Sequence, residues 1–478
     1  MSAPARQPLA SVVRSVWIDG DPMFAAQAAR IIAARGLAIA ASAHTTDAVF
    51  AWSSARALDG ATAVELAGLC SQAAARGVPA VVLAPSATGT GQPAIEQSAA
   101  LAYVRSHAAV VTADPDLWLE AIVMLSRWPL PRGGSVALIA EPGSWLAAQA
   151  AALTDDAALP RLWSALTAQR DTSREDRTDI VLFDAAVDAP AVRPVADALW
   201  IGVVARAELA GDTPALLGAR TALAAATMVG AAAERIGVGL GPAPVSAKQD
   251  LEIDHERMTR QLDRLSESDE RLGDHETKAM LASYGVAITR QAVATTASAA
   301  LRIAKRAGFP VELKPWGPEV RAERDGCPVE TNITTGADVR RAFSAVLTAN
   351  GQSSNEEDGA AVIVRETPPR GRELAASFIK LPAVGWTVVV SGTGHAVPLA
   401  APAPLRMVDA LALASQLLAS RASEAEPDRQ GLATLLRRAS HLIVDHHTRF
   451  VRIELARIVV GARGERTVVV DAYAELEH

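Results

Sequence analysis

The sequence predicts an α/β protein, with two units built on parallel sheets followed by a third part of α+β character. Three observations carry this. Short apolar runs alternate with amphipathic helical ones from Val12 to about residue 240, the pattern of strands covered by helices on both faces. Glycine and proline cluster in GVGLGPAP at 237–244 and mark a linker. After it, a highly charged stretch leads into a helix–strand–helix–strand order that opens at Gly273.

Length and composition set the frame. The 478 residues allow about three domains of ordinary size. Half of them are hydrophobic but only 4% are aromatic, so alanine, valine and leucine must fill the cores. A net charge of −7 argues against nucleic acid as the main partner, because phosphate binding needs a basic surface. Cys70 and Cys327 lie far apart and read as reduced thiols. MSAPARQPLASVVR lacks the apolar core of a signal peptide, and no apolar run reaches the ~18 residues of a membrane span. A cytoplasmic protein is expected, with no membrane partner.

The first unit, residues 10–130, opens with the strand SVWIDG and the helix MFAAQAARIIAARG, closed by Gly36. LAIAASA, DAVFAW, PAVVLAP and AAVVTA read as further strands, with helices ELAGLCSQAAARG and PAIEQSAALAYVRS between them. A bridging helix, DPDLWLEAIVMLSRW, leads through PLPRGG into the second unit, residues 131–240. There SVALIA, DIVLFDA and DALWIGVVA are strands, and TALAAATMVGAAAERIG is a helix. Both units read as Rossmann- or flavodoxin-like. Residues 241–272 form a helical linker, in which Leu251, Met258, Leu262, Leu265 and Leu272 make one apolar seam on a solvated helix.

The third part, residues 273–475, begins with a helix from Glu276 to Tyr284, ended by Gly285. A β-prone run at 286–289 follows, then a helix in which Ala300, Ile303, Ala304 and Ala307 share a face. Gly308 stops that helix, and Val311-Glu312-Leu313-Lys314 reads as a strand ending on a cation. Glu276, Lys278, Leu281, Tyr284 and Gly285, then Ala304, Gly308, Phe309, Pro310, Val311 and Lys314, match two motifs in order. On these residues the region resembles the ATP-grasp domain of the NDP-forming acyl-CoA synthetases, the superfamily that includes succinyl-CoA synthetase. The first α/β unit is similar either to that superfamily's CoA-binding domain or to its first ligase domain, and both alternatives stand.

The resemblance implies an acid–thiol ligase that uses ATP or ADP with Mg²⁺ and CoA or acyl-CoA, in a homo- or hetero-oligomer. It implies that Lys314 meets the ATP phosphates, that Glu366 lies beside the adenine, and that Glu373, in Gly371-Arg372-Glu373-Leu374, belongs to the site. Gly392 and Gly394 stand in the family's glycine loop, and Glu454 stands on its Mg²⁺-holding strand. Several motifs depart from the pattern. His395 fills a glycine position, a loop carboxylate has become Leu399, and the metal strand's asparagine is replaced in Glu454-Leu455-Ala456-Arg457.

The histidine loop that relays the phosphoryl group in this superfamily is missing after Val82. His44, in SAHTT, and His107, after Ser106, are the stand-ins, and each also reads as an exposed turn histidine. Gly89 and Gly91, between a strand and a helix, suit either an anion-binding turn or a plain one. Two functions follow: a divergent or impaired carboxylate–CoA ligase, or a catalytically silent relative acting as a subunit, scaffold or nucleotide/CoA-sensing module.

Overall fold

The computed structural model describes the chain except residues 1–11, 13, 42–47, 141–142, 154–162, 167–177, 186–197, 206–213, 245–247, 249, 266–269, 318–327, 350–360, 393–396, 419–425 and 478. It divides into two compact units, Met1–Gly241 and Pro242–Leu418 with Glu424–His478.

In the N-terminal unit, β1 (Val16–Gly20), β2 (Val49–Ser53), β3 (Ala80–Leu83) and β4 (Ala109–Thr112) form a parallel sheet in that order. The run LAIAASA, expected as a strand, contributes one parallel bridge, Ile39 to Val16. That bridge sits beside β1, so the sheet keeps the order 2-1-3-4-5 typical of doubly wound folds, with its second strand reduced to one residue. Helices α1 (Pro22–Ala34), α2 (Gly60–Ala75), α3 (Gln92–Ser106) and α4 (Pro115–Arg127) connect and cover it. Asp21 and Asp114 cap α1 and α4, accepting N–H bonds from Met23 and Phe24, and from Asp116 and Leu117. A proline follows each cap, where its missing N–H costs nothing.

The second sheet runs β6 (Trp163–Leu166), β5 (Val136–Ile139), β7 (Ile180–Asp184), β8 (Leu199–Val204) and β9 (Ala215–Leu217), again parallel and again 2-1-3-4-5. Helices α5 (Trp145–Leu153) and α6 (Ala219–Val238) flank it. The sequence reading did not mark β6 and β9. The apolar residues of α4 and α6 belong to one core shared by both sheets, centred on Trp118, Ile122, Leu223 and Val229.

The C-terminal unit is antiparallel. Its larger sheet orders β10 (Arg271–Leu272), β19 (Val468–Leu476), β18 (Phe450–Val460), β15 (Arg372–Leu381), β16 (Gly385–Gly392) and β17 (Leu399–Pro402). Helices α7 (His255–Leu262), α8 (Asp274–Ser283), α11 (Met407–Leu417) and α12 (Arg429–Asp445) share a core with it. The smaller sheet is β11 (Gln291–Ala294), β14 (Val362–Glu366), β12 (Val311–Pro315) and β13 (Glu330–Ile333), packed on α9 (Ala297–Ala307) and α10 (Gly336–Ala349).

The linker reading changes in detail. The seam expected on one helix over 250–272 is divided between α7, which buries Met258, and β10, where Leu272 pairs with Ala474. The seven-residue spacing from Leu265 to Leu272 suits either a helix or a return to the core, and edge pairing with β19 decides it. Gly285, at φ +69°, ends α8 in the left-handed region, and a Cβ there would collide with the Arg438 guanidinium. Arg438 Nη1 donates to the Tyr284 carbonyl at 2.8 Å.

Candidate functional site

The smaller sheet of the C-terminal unit has two faces of opposite chemistry. Along β12, Val311 and Leu313 point into the apolar core with α9 and α10, while Glu312 and Lys314 take the other face. Arg365 of β14 lies opposite Glu312, and Gln291 of β11 lies opposite Arg365. Alternation of this kind ordinarily puts the polar residues in water. Here Glu312 is 6% exposed, Lys314 2% and Arg365 1%. The charged face is covered.

Two aspartates meet it. Asp471 comes from β19, and Asp274 starts α8, where the positive end of the helix dipole favours a carboxylate. Lys314 Nζ donates to Asp471 Oδ1 at 2.7 Å and lies 3.0 Å from Asp274 Oδ2. Its ammonium also stands 5.9 Å from the centroid of the Tyr473 ring. Arg365 donates to Glu312 Oε2 at 2.8 Å and to Asp471 Oδ1 at 2.7 Å. Lys278, one turn along α8, is 3.3 Å from Asp274 Oδ2 and donates to Thr289 Oγ1 and Gln291 Oε1. Asp274 also accepts the Ala472 N–H at 2.9 Å and a Gln291 side-chain N–H at 3.0 Å. Three carboxylates thus balance three cations inside the fold.

The electrostatics follow. Burial alone would raise the Asp274 carboxyl, but Lys278 and Lys314 beside it hold it below the usual range. Burial works against Asp471 too, and Arg365 and Lys314 overcome it, so its acidity is strongly increased. Arg365 is driven upward, because Asp471 and Glu312 outweigh its desolvation. For Lys278 desolvation wins over the attraction of Asp274, and its ammonium is brought down to about 8.

The other expected site residues are already engaged or lie elsewhere. Glu366, at the end of β14, accepts from Arg290 at 2.6 Å and from Arg466 at 3.2 Å. Burial would raise its carboxyl, and the Arg290 bonds keep it low. Glu373 pairs with Arg457 at 2.6 Å. Glu454 is 3.3 Å from Arg452 and lines a hollow of about 10 Å³ with Arg271 and Tyr473, room for one water at most. Gly392 is a packing glycine, since a Cβ there would run into Leu374 of the neighbouring strand. Gly394 and His44 lie outside the described residues.

In the N-terminal unit His107 caps α3 and is half-buried. Its Nδ1 lies 2.9 Å from the Tyr103 carbonyl, and burial lowers its pKa. Gly91 is the N-cap of α3 with no side-chain cap bond, and Gly89, at φ +81°, is exposed in the turn before it. The structure therefore brings Lys314 together with Asp274, Lys278, Arg365 and Asp471, four residues that were not singled out as site residues. One signal was available: VELKP carries charges at alternate positions of an otherwise apolar strand, and the facing strand VIVRE puts Arg365 opposite Glu312.

This geometry bears on a nucleotide and its metal. A phosphate-binding lysine must offer its charge and N–H groups, and Lys314, buried, directs two of its three at carboxylates inside the fold. Glu454, held by Arg452, is a poor Mg²⁺ ligand, and among the described residues no three His, Cys, Asp or Glu side chains are placed to hold a metal ion. As arranged, the described residues do not fit Mg-ATP.

Residues 263–476 match the family described as ATP-grasp domain. The chain is 22% identical over 209 residues to the β subunit of ADP-forming acetate–CoA ligase II of Pyrococcus furiosus, covering 42% of this chain and 89% of that one. It is 25% identical over 184 residues to the β subunit of ADP-forming acetate–CoA ligase I of the same organism, covering 36% and 79%. Among solved structures, the dinucleotide-forming acetyl-coenzyme A synthetase 1 of Ca. Korarchaeum cryptofilum aligns at 22% identity and a TM-score of 0.40, over 47% of this chain and 100% of that one. Residues 263–476 are an ATP-grasp domain, similar to those of the NDP-forming acyl-CoA synthetases.

Proposed function

We propose that this chain is a catalytically silent relative of the ADP-forming CoA ligases. Its ATP-grasp domain acts as a structural module of an assembly, not as a phosphoryl-transfer site. One observation carries the reading: Lys314, the cation that a polyphosphate would need, is buried between Asp274 and Asp471. Stripping a buried charge of its partner costs ~3–5 kcal/mol. A charge-assisted hydrogen bond to phosphate returns ~1.5–3 kcal/mol. At this lysine the exchange is unfavourable.

Two of the relatives are named as β subunits, which supports a role beside a second chain. Their names also imply CoA and a nucleotide as ligands, and these are the right probes. A rival reading has some support, because three cations, Lys278, Lys314 and Arg365, converge on one place. In a working ligase the same cluster would be a resting state that opens to phosphate.

Calorimetry with ATP, ADP, CoA and acetyl-CoA, each with and without Mg²⁺, separates the two. The silent reading expects no heat from millimolar Mg-ATP and no acid-labile phosphohistidine after incubation with labelled ATP. Nucleotide binding that weakens roughly tenfold or more in Lys314→Ala would establish the rival.

A further inference from the structure

The two helices over the apolar face of the smaller sheet carry charge of almost one sign. On α9 the core side is Ala300 and Ala304, with Ile303 and Ala307 partly buried beside them. Arg302, Lys305 and Arg306 fall on the opposite side of the helix and are exposed. α10 repeats the arrangement, with Val339, Phe343 and Val346 buried and Arg340 and Arg341 exposed. The helices meet closely, for a Cβ on Gly336, the first residue of α10, would run into Leu301 of α9. Arg302 follows that contact on α9, and Arg340 and Arg341 stand about one turn past it on α10. The five cations belong to one outer face.

Against them the two helices hold a single carboxylate, Asp338, which accepts from Arg341 at 2.6 Å. Among the described residues, Arg302, Lys305, Arg306 and Arg340 have no ion-pair partner. Elsewhere in the same unit Arg290, Arg437 and Arg457 each reach a carboxylate at 2.6 Å. The helix dipole accounts for Lys305 and Arg306, in the last turn of α9, but not for Arg340 and Arg341 in the first half of α10. Arg302 and Arg306 are also one turn apart, a like-charge spacing that weakens a helix. An outside anion would relieve it.

The chemistry of the face selects that anion. Four of the five cations are arginines, whose planar forks pair with carboxylates or phosphates. The exposed residues between them, Ser298, Ala337, Ser344 and Ala345, are small, so a peptide segment can lie close. A membrane needs an apolar wedge as well as cations, and the large apolar residues of both helices face the core. A nucleic acid is repelled at long range by a chain of net charge −7, and Phe343, the aromatic ring of these helices, is buried and cannot stack a base. A short carboxylate-rich segment meets neither obstacle.

We propose that the outer face of α9 and α10 docks an acidic segment of a partner protein, its carboxylates paired with Arg302, Arg306 and Arg340. The proposal rests on the reading of this domain as a module of an assembly. The face lies across the smaller sheet from Lys314, so docking and nucleotide binding fail separately.

Fluorescence anisotropy of a labelled helical peptide with glutamates three and four residues apart, titrated with the full chain, tests it. The peptide should bind in low salt, at least about fivefold more tightly than its glutamine counterpart, and be released at ~1 M salt. Changing Arg302→Gln, Arg306→Gln and Arg340→Gln together should weaken binding by at least about fivefold. Arg30→Gln, Arg56→Gln and Arg76→Gln, at exposed positions of the N-terminal unit, change the net charge equally and should leave binding intact. All six side chains are exposed, and circular dichroism checks that both variants fold. Equal losses in the two variants, or no binding in low salt, would overturn the proposal. So would tighter binding of a DNA duplex or of phosphatidylserine vesicles, or a homodimer that the α9–α10 variant dissociates. Binding that emerges only when Glu356, Glu357 and Asp358 are changed to Gln would give the face to the chain's own acidic run, and overturn it too.

Discussion

The two units treat buried charge in opposite ways. Among the described residues, the charged side chains buried in the N-terminal unit are Glu120 and Arg235. The C-terminal unit buries Asp274, Lys278, Glu312, Lys314, Arg365, Glu366, Arg437 and Asp471. The difference begins in sheet type. A parallel sheet with helices on both faces has no wet side, so its strands read AVVL, AVVT and VALI, and polar chemistry is left to the strand ends. The small antiparallel sheet has one apolar face and one charged face, and β19 and α8 then cover the charged one. A polar face can become a site or a set of internal contacts. In this chain the charges at Lys314 satisfy one another.

Breaking that balance should have the largest effect. Asp471 is shared by Lys314 and Arg365, so Asp471→Ala leaves two buried cations short of a partner. A loss of ~3–5 kcal/mol is expected in urea denaturation. Replacing the network by matched apolar residues is a different experiment and is often neutral. If Asp471→Ala costs less than ~1 kcal/mol, water reaches this face and the contrast between the units disappears.

The network should also write itself into the pH dependence. Asp274 and Asp471 are held below their ordinary range, so the unfolded chain takes up protons first as pH falls through about 4. Their stabilisation is present above that pH and is lost on further acidification. Lys278 acts at the other end. Its folded value is about 8 against 10.5 for an unperturbed lysine, so the unfolded state is protonated first as pH drops from 10.5. Stability should therefore fall between pH 10.5 and 8 and level off below. Lys278→Met should remove that alkaline slope and also weaken the acid limb, because Lys278 helps to hold Asp274 low, as read from denaturation midpoints across pH.

In the N-terminal unit the matching test is Glu120 of α4. Its carboxylate accepts from Arg35 at 2.6 Å and from the Leu217 N–H at 2.9 Å. The Arg35 side chain is 19% exposed and can turn to water when its partner goes. Glu120→Ala should thus cost less than Asp471→Ala, about 1–3 kcal/mol, mostly for the Leu217 N–H left without an acceptor. A cost equal to that of Asp471→Ala would mean that this unit depends on buried charge as heavily as the other.

The sequence carried the fold further than the site. Alternating apolar runs placed β1 to β5, β7 and β8, and Gly36, Gly285 and Gly308 placed helix ends, because strand burial and left-handed glycines are local properties. In the N-terminal unit two strands escaped notice. β6 and β9 lie at an outer edge of their sheet, where fewer neighbours constrain the residue pattern. The site was less legible for a different reason. Lys314 could be read as a strand cation, but Asp471 and Asp274 lie 157 and 40 residues away from it, and only the packing of β19 and α8 brings them to its ammonium. A residue-by-residue motif shows which charges exist. It does not show which of them are spent on each other.

The smallest effect is expected at Glu373, and it gives the clearest control. Glu373 and Arg457 sit on neighbouring strands β15 and β18, with Arg457 Nη2 2.6 Å and Nε 3.0 Å from Glu373 Oε1. By distance this pair is as good as Lys314 with Asp471. By burial it is not, because the side chains are 54% and 30% exposed. Water solvates both charges when the pair opens, so the coupling should be ~0.2–1 kcal/mol in a double-mutant cycle of Glu373→Gln and Arg457→Gln. Salt should erase it, since at 1 M the screening length is only ~3 Å. The cycle of Asp471→Asn and Lys314→Met should give a larger coupling that salt leaves nearly unchanged. If the two couplings proved equal and equally salt-sensitive, the charged face at Lys314 would be open to solvent, and with it to a phosphate.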